Sequence, residues 1–506
     1  MKLPRSRSLW IAAVTILVLS LAGTYLMWSA PNSPAKPRVG ETESVGFGEI
    51  GNSAVSTGAG SVWFILPDYN GPMHTPQPKC EGVDPAQLSD FSAAGYVLGL
   101  LSNTQNQILD TDSSISQINC GNPANTGPTI VALAGPSVNE VVHYYEDVSA
   151  SSPVYFQLDG TTHNFVVRAT GQRYTVPNQA SNPVAGDDLF LLEAFTFGGK
   201  KVFILYGFSW QGTLAAGVLY ASYIHSQPAQ FPNSWYIYRW VDGSSETSAN
   251  TFPDPDDFYT LMASSNAAPS LASSNLPRSG TAYPGFAGIS KDVLDASQGS
   301  VNFILPDYVG PMHSPKVKCG DVSAALLSDY SAVGYILSAT SNFQNQALDT
   351  GRFVGLDGQT CGQFTGSASV LVALDGPRVN TAVYYYEKIS ATSPIYFLWD
   401  GVRNNLVVRA SGQRYSVPNP AGNPAAGDDL FLLETFQADG KRVYIIYGFT
   451  WQGTLAAATF LNTYVSSHLS EFTNDWYIYE WKDTSSATSA NSFPDQGDSY
   501  VQIAKG

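Results

Sequence analysis

The chain has 506 residues, of which 44% are hydrophobic, 12% aromatic and only 13% charged. This composition supplies enough apolar material for several buried cores and excludes an intrinsically disordered chain. The formal net charge of -16 at pH 7 argues against nucleic acid as a partner, because phosphate binding needs a basic face. At about 150 residues per domain, the length predicts two to four domains.

The first thirty residues predict export. Three basic residues precede an uncharged run from Leu9 to Trp28, and a helix of that length covers about 30 Å, the thickness of a bilayer's hydrocarbon core. Residues 1–30 are therefore a signal peptide cut after Ala22 or an uncleaved membrane anchor, and both interpretations stay open. In either case, the chain beyond the Pro-, Gly- and Ser-rich segment 31–60 lies outside the cytoplasm, secreted or anchored to the cell surface, with the membrane as a partner through the N-terminal helix.

An internal repeat divides the remaining chain into two modules. The segment SVWFILPDYNGPMHTPQPKC from Ser61 recurs as SVNFILPDYVGPMHSPKVKC from Ser300, an offset of 239 residues. Further along, GDDLFLLEAF and YGFSWQGTLAA recur as GDDLFLLETF and YGFTWQGTLAA at an offset of 241 residues. The sequence therefore predicts module 1 over residues 61–262, a linker over 263–299 and module 2 over 300–503.

Hydrophobic patterning in module 1 predicts strands that alternate with helices. In chain order, the predicted elements are a strand at 62–66, a helix at 88–101, a buried strand at 129–133, a helix capped by Ser137 that runs to Glu146, a strand pair at 154–158 and 165–169, a hairpin at 189–197 and 201–206, a helix at 213–224 and a closing strand at 235–240. This order predicts an α/β fold in each module, with packed helices on a mixed sheet that is parallel in its core and extended by β-hairpins.

The four cysteines fall two per module at equivalent positions. In an exported chain, this duplication predicts one disulfide inside each module, Cys80–Cys120 and Cys319–Cys361. Each would stabilise its module by about 3–4 kcal/mol in the entropic model. A metal site is the alternative, but two cysteines and a histidine at this spacing match no zinc signature.

The order of elements and three short motifs resemble the α/β domain of archaeal S-layer and S-layer-like surface proteins. The motifs are a first helix, SDFSAAGYVLGLL from Ser89 and SDYSAVGYILSAT from Ser328; a glycine-proline turn at 134–139 and 375–380; and a terminal helix at 207–216 and 448–457. The resemblance implies tandem α/β modules, a place in an archaeal cell envelope, and partners that are copies of the chain or other envelope proteins.

Two acidic turns are candidates for a cofactor. Asp187 and Asp188 in module 1, and Asp428 and Asp429 in module 2, each follow a glycine and precede a strand. Carboxylates on a turn suit calcium, although a lone pair of this kind is more often solvated. No cofactor other than calcium is predicted.

Glu193 and Glu434 lie in the middle of predicted strands, between leucines and phenylalanines. A carboxylate with a raised pKa in an apolar pocket would suit acid–base catalysis, with Arg168, Arg173, Arg409 and Arg414 as possible partners. A strand that alternates between core and solvent would instead expose these residues, and this is the favoured interpretation.

The closing strands are aromatic. Alternation puts three aromatic side chains on one face of each strand: Tyr236, Tyr238 and Trp240 in module 1, and Tyr477, Tyr479 and Trp481 in module 2. They form an interaction surface for sugar rings or another subunit if the strand lies at an edge of the sheet, or they pack over a helix.

The expected function is therefore a structural or adhesive, non-enzymatic role in the cell envelope through protein–protein association. The alternative is an extracellular protein that binds or hydrolyses polysaccharide, using the aromatic strands and the two glutamates. Serine hydrolase chemistry is disfavoured, since no Gly-x-Ser-x-Gly motif occurs and four of the histidines, His143, His163, His225 and His468, have no counterpart in the other module.

Overall fold

The computed structural model describes residues 49–50, 62–70, 76–86, 107–116, 118–224, 227–243, 253, 257–266, 285–289, 301–309, 314–326, 346–351, 353–358, 360–484, 494 and 497–506. The predicted N-terminal helix and the predicted helix at 88–101, with its counterpart from Ser328, lie outside these residues. Within them, no helix is both long and apolar enough to cross a membrane.

Module 1 contains ten described strands. In chain order they are β1 (Val62–Leu66), β2 (Gln107–Leu109), β3 (Thr129–Leu133), β4 (Val154–Asp159), β5 (Thr162–Val167), β6 (Arg173–Tyr174), β7 (Asp187–Phe197), β8 (Lys200–Gly207), β9 (Trp235–Val241) and β10 (Phe258–Ser264). Seven of them form one sheet in the order β10-β9-β7-β8-β3-β1-β2, and β4, β5 and β6 form a separate antiparallel sheet.

The large sheet is mixed, as the sequence predicts. Strands β2, β1, β3 and β8 run parallel to one another, whereas β7, β9 and β10 extend the sheet in antiparallel fashion. The hairpin between β7 and β8 turns at Gly198 and Gly199, which have φ of 58° and 76°. Glycine is the residue that adopts this left-handed backbone without a steric cost, and two such residues form the turn whose twist matches paired strands.

Two short helices complete the described part of module 1. Helix α1 (Glu140–His143) continues as a π-helical turn (Tyr144–Val148), and α2 (Trp210–Leu219) continues as another (Tyr220–Ile224). The predicted cap at Ser137 is wrong: Asn139 caps α1, accepting hydrogen bonds from the amides of the second and third helical residues. Helix α2 begins three residues before the predicted Thr213, because Ser209 is already extended and caps it.

Module 2 repeats this architecture, and its sheet has the equivalent order β12-β11-β13-β18-β17-β19-β20. Its elements are β11 (Val301–Leu305), β12 (Gln346–Leu348), β13 (Val370–Leu374), α3 (Thr381–Tyr384) with a π-helical turn (Tyr385–Ile389), β14 (Ile395–Trp399), β15 (Asn404–Val408), β16 (Arg414–Tyr415), β17 (Asp428–Ala438), β18 (Lys441–Gly448), α4 (Trp451–Thr463), β19 (Trp476–Lys482) and β20 (Ser499–Lys505). Short 3-10 turns lie at Pro228–Gln230, Gly285–Gly288, Val465–Ser467 and Leu469–Glu471.

Both faces of each large sheet are covered. In module 1, α2 packs on one face, and α1 with the small sheet β4-β5-β6 packs on the other. The central strand β7 is therefore buried along both faces for its first nine residues, so its side chains do not alternate between core and solvent.

The two modules share one apolar core and belong to a single compact unit, Glu43–Gly506. Tyr69 of module 1 contacts Trp451 of module 2 edge to face, with ring centroids 5.8 Å apart, and Trp210 contacts Tyr308 in the same way at 5.7 Å. Equivalent positions of the two modules make these reciprocal contacts, as in the interface of a two-fold symmetric dimer.

Strands β10 and β20 each run two residues past the predicted module ends. Part of the predicted linker also belongs to the packed structure. Phe286 stacks edge to face on Tyr444 of module 2 at 5.8 Å, and the amide of Ala287 donates to the carbonyl of Phe472.

Candidate functional site

A pair of buried glutamates lies between the large and small sheets of module 1. Glu146 projects from the π-helical turn and Glu193 from the middle of β7, and neither is more than 1% exposed. Glu146 accepts hydrogen bonds from the hydroxyl of Tyr206 at 2.5 Å and from the amide of Phe156 at 2.8 Å. The amide of Val154 donates to Glu193 at 3.2 Å. The pair therefore joins β4 of the small sheet to β7 and β8 of the large one.

Burial raises the pKa of Glu193 to about 8, and hydrogen bonds from Ser152 and Val154, together with the charge of Arg168, offset only part of this shift. Burial also raises the pKa of Glu146 well above its usual range, and the nearby charge of Glu193 raises it further. Both effects have the same physical cause, because a carboxylate loses its hydration in the interior and a second negative charge adds repulsion. Both shifts favour the protonated form of these carboxyl groups.

The contacts of Ser152 agree with a protonated Glu193. The serine hydroxyl lies 2.6 Å from Oε1 of Glu193 and also contacts the carbonyl oxygen of Val154. A serine has one hydroxyl hydrogen, so it cannot donate to both oxygens. If Glu193 carries the proton, it donates to Ser152, Ser152 donates to Val154, and the amide of Val154 donates back to the second carboxyl oxygen. Every polar atom of the ring is then satisfied.

Module 2 contains the same pair. Glu387 accepts from the hydroxyl of Tyr447 at 2.6 Å, and Glu434 contacts Ser393 at 2.8 Å. Burial raises the pKa of Glu387 to about 7 and raises that of Glu434 well above its usual range, with the charge of Glu387 adding to the second shift. Both modules therefore contain the buried pair of glutamates rather than a single glutamate.

The prediction that Glu193 and Glu434 face solvent is wrong, because both sheet faces are covered at β7 and β17. Of the predicted arginine partners, Arg168 and Arg409 lie nearby but donate to backbone carbonyl oxygens: Arg168 to Ser152 at 2.9 Å and to Glu146 at 2.6 Å. Arg173 instead forms a surface ion pair with Asp159. The glutamates lie in the interior and are bonded to protein groups, so this arrangement joins the large and small sheets of each module.

The structure does not bring the aspartates of the predicted calcium turns together. Asp187 binds Arg239 through both carboxylate oxygens at 2.8 Å. Its neighbour Asp188 is fully buried, and accepts hydrogen bonds from Ser209 and from the amide of Gly212 at the start of α2. Adjacent residues of a strand point to opposite faces, so each carboxylate bonds to its own protein partners.

Module 2 follows the same pattern. Asp429 accepts from Thr450 and from the amide of Gly453 at the start of α4, and Asp428 accepts from Asn419. Burial raises the pKa of both Asp188 and Asp429 to about 7, and hydrogen bonds from the helix start offset part of the shift. Across the part of the chain that the structure describes, no three His, Cys, Asp or Glu side chains form a group that could hold a metal ion.

The predicted aromatic surface is part of the core. Strand β9 lies between β7 and β10 rather than at an edge, and Tyr236, Tyr238 and Trp240 are fully buried. Their counterparts Tyr477 and Trp481 are also fully buried, and Tyr479 is 7% exposed. The edge position that would have exposed these rings is occupied by β10 and β20, which the sequence analysis missed. The packing interpretation is therefore the correct one.

Sequence analysis also missed a buried ion pair at the carboxyl ends of β1 and β2. Lys79 is 1% exposed and binds Asp110 at 2.8 Å, and Asp110 also accepts from the amides of Asp68 and Glu140. Burial raises the pKa of Asp110 to about 6, and the charge of Lys79 opposes that shift. Module 2 repeats the pair as Lys318–Asp349 at 2.9 Å. The sequence signal that could have indicated this ion pair is that the dipeptides Lys-Cys and Leu-Asp occur at equivalent positions in both modules.

The ion pair lies beside the disulfide. Cys80 follows Lys79 and is bonded to Cys120, and Cys319 is bonded to Cys361, which confirms both predicted bridges. An open depression of about 430 Å³ borders this region of module 1 and is lined by Gln77, Pro78, Lys79, Cys80 and Thr111. Disulfides of this kind persist in oxidising compartments, so the two bridges indicate an oxidising, extracellular environment.

The comparisons with known proteins add no family to this description: no protein-family model matches the chain, and no curated protein matches it in sequence. The molecule itself defines a class, that of duplicated, disulfide-bonded α/β proteins in which two similar seven-stranded sheets share a core.

Proposed function

We propose that this protein is a structural component of an archaeal cell envelope, similar to S-layer proteins, and that it works by protein–protein association rather than by catalysis. The N-terminal apolar run would direct export and, if uncleaved, would hold the chain at the membrane. The two modules would then lie on the outer side of that membrane, where copies or other envelope proteins meet.

This proposal rests mainly on the observation that the side chains with candidate chemical roles are buried and bonded to other parts of the fold. The aromatic residues of β9 and β19 pack in the core, Glu193 and Glu434 join sheets, and Asp188 and Asp429 hold helix starts. These groups give each module rigidity and leave neither glutamate in contact with solvent. Catalysis and sugar binding need such groups at a surface that a ligand can reach.

The shared core supports the same role. Reciprocal contacts between Tyr69 and Trp451 and between Trp210 and Tyr308 fix the two modules as one body, and a disulfide closes a long loop in each. A load-bearing surface protein benefits from such rigidity, because its copies can meet in a constant geometry. The motifs that resemble the S-layer family contribute here too, since the glycine-proline turn leads directly to Asn139, the cap of α1.

The test is the size and shape of the purified full chain in a mild detergent, by light scattering and negative-stain electron microscopy, with and without millimolar calcium. Sheets, threads or discrete oligomers that grow with protein concentration are the expected result. A monodisperse monomer under every condition would exclude self-association as the main role. Saturable binding in a glycan screen would then favour the alternative, a polysaccharide-binding protein.

A further inference from the structure

Each large sheet ends in a strand of the same kind at equivalent positions. Among the described strands, β10 is the last of the module 1 sheet and β20 the last of the module 2 sheet, and both have seven residues. An edge strand presents backbone amides and carbonyls that can pair with another chain. Among the described strands, β10 and β20 therefore form one equivalent edge on each module, opposite the edges formed by β2 and β12.

The β10 edge has few of the features that block pairing. Its sequence, FYTLMAS, contains no charged residue and no proline, and Phe258 is 64% exposed. Natural edge strands are commonly protected by lysine, proline or a short length. The one irregularity is a bulge at Met262, and β20 has the equivalent bulge at Ile503. The two edges therefore twist in the same way, which suits them to each other.

The charges near the two edges are complementary. Asp257 immediately precedes β10, where it is largely buried and accepts hydrogen bonds from the indole of Trp240 and the amide of Gly243. The half-buried Asp242 follows the neighbouring strand β9 at the same end of the sheet. Strand β20 ends in the exposed Lys505. In a full antiparallel overlap of β10 with β20, Phe258 lies opposite Lys505, which brings the ammonium group to the acidic end of β10. Pairing β10 with another β10 offers no cation at this place.

From these features we infer that β10 of one copy pairs antiparallel with β20 of a second copy, making one continuous sheet across the two molecules. The inference rests on the proposed function, because it names the surface through which copies associate. The contact is heterologous, joining module 1 of one molecule to module 2 of the next. Each copy keeps its other edge open, so the assembly grows as a chain instead of closing as a dimer. Pairing β20 with β20 would also bring Lys505 to an acidic end, because Asp498 and Asp483 lie at the equivalent positions of module 2, but it would leave the uncharged edge of β10 unpaired. The Phe258→Lys variant distinguishes the two pairings, since only pairing through β10 is weakened by it.

Three single variants test this surface in the full chain, by sedimentation velocity in mild detergent. Phe258→Lys places two lysines opposite each other, and Lys505→Glu places a glutamate at the acidic end of β10, so each variant alone is expected to associate at least tenfold more weakly. Like charges that lie directly opposite in an antiparallel pair oppose pairing. Ser499→Lys, at the position equivalent to Phe258, is the matched control, since Ser499 would lie opposite the uncharged Ser264. This control is expected to associate like the wild type.

The decisive experiment mixes the two variants that each lose association. When the Phe258→Lys and Lys505→Glu chains are combined, the unchanged β20 of the first chain can pair with the unchanged β10 of the second, and the new lysine lies opposite the new glutamate in the other contact. Mixed assemblies in which the two chains alternate are therefore expected where neither variant associates alone. Wild-type association that is unaffected by either variant, or a mixture that fails to associate, would overturn the strand pairing and leave self-association through another surface. A wild-type chain that stays monomeric would overturn the pairing and the proposed function together.

Amide hydrogen exchange supplies a second readout that does not depend on substitutions. Raising the wild-type concentration is expected to slow exchange in Phe258–Ser264 and Ser499–Lys505 together. Slowing at other segments only would reject the pairing. Equal thermal melting of the wild type and the variants shows that lost association does not come from unfolding.

Discussion

Replacing Glu193 by glutamine should remove one buried titrating group without disturbing its contacts. Glutamine resembles the protonated carboxyl group: its amide can donate to Ser152 while its carbonyl accepts from the amide of Val154. The difference between the free energies of unfolding of the variant and the wild type should therefore be smallest at pH 5. It should grow as the pH rises.

The sign follows from the direction of the shift. The pKa of Glu193 in the folded protein is about 8, well above that of an unfolded glutamate. The native state therefore binds the extra proton, and its contribution is complete below the unfolded pKa and is lost as the pH rises through the folded one. Each proton corresponds to about 1.4 kcal/mol per pH unit, so the wild type should lose about 2.5 kcal/mol relative to Glu193→Gln between pH 5 and pH 7.

The assay is urea unfolding of the full chain in detergent, followed by tryptophan fluorescence at pH 5, 6 and 7. Asp159→Asn is the control, because Asp159 is a largely exposed carboxylate that pairs with Arg173 on the surface. It should unfold with the pH dependence of the wild type. A Glu193→Gln protein that is destabilised equally at all three pH values would refute the reasoning, since it would mean that Glu193 is charged in the folded protein.

Three further predictions concern the stability of module 1. Replacing Cys80 and Cys120 together by serine should lower the free energy of unfolding by about 4 kcal/mol in the entropic model. Calorimetry should show this as a lower melting temperature, and an unchanged melting temperature would contradict the prediction. Trp240→Ala should cost about 3–5 kcal/mol by opening a cavity in the core, and a stability loss below 1 kcal/mol in urea titrations would argue against burial. Gly212→Ala puts a methyl group 2.5 Å from Oδ2 of Asp188, so the free energy of unfolding should fall by about 1–3 kcal/mol. A variant as stable as the wild type in the same urea titration would show that the start of α2 can move away from Asp188.

The local parts of the fold could be predicted from sequence because local chemistry determines them. The Gly198-Gly199 turn indicates the β7–β8 hairpin, and Asp439-Gly440 forms the matching turn of module 2 with φ of 51° and 72°. The disulfides followed from the duplication, since two cysteines recur at equivalent places in each copy. Such features depend on backbone geometry or on counting, and neither needs knowledge of distant contacts.

The candidate site could not be predicted in the same way, because it depends on which elements cover each sheet face. Glu193 occupies a strand position that alternation assigns to solvent, but the small sheet β4-β5-β6 covers that face. The sequence left both an edge position and packing over a helix open for Trp240, because β10 comes after a long polar segment and was not recognised. Lys79 gave no sign of burial, since lysine is one of the residues least often found in an interior. Each error concerns long-range packing, which one sequence does not encode locally.

The two disulfides have a consequence under mechanical load. Cys80 and Cys120 are 40 residues apart along the chain, and a fully extended segment of that length reaches about 140 Å. If tension pulls module 1 apart, the closed loop cannot extend, so the module lengthens by that much less before its backbone is taut. The loop closed by Cys319 and Cys361 limits module 2 in the same way. Under tension, each module would therefore lengthen less than its residue count allows, even when its sheets separate.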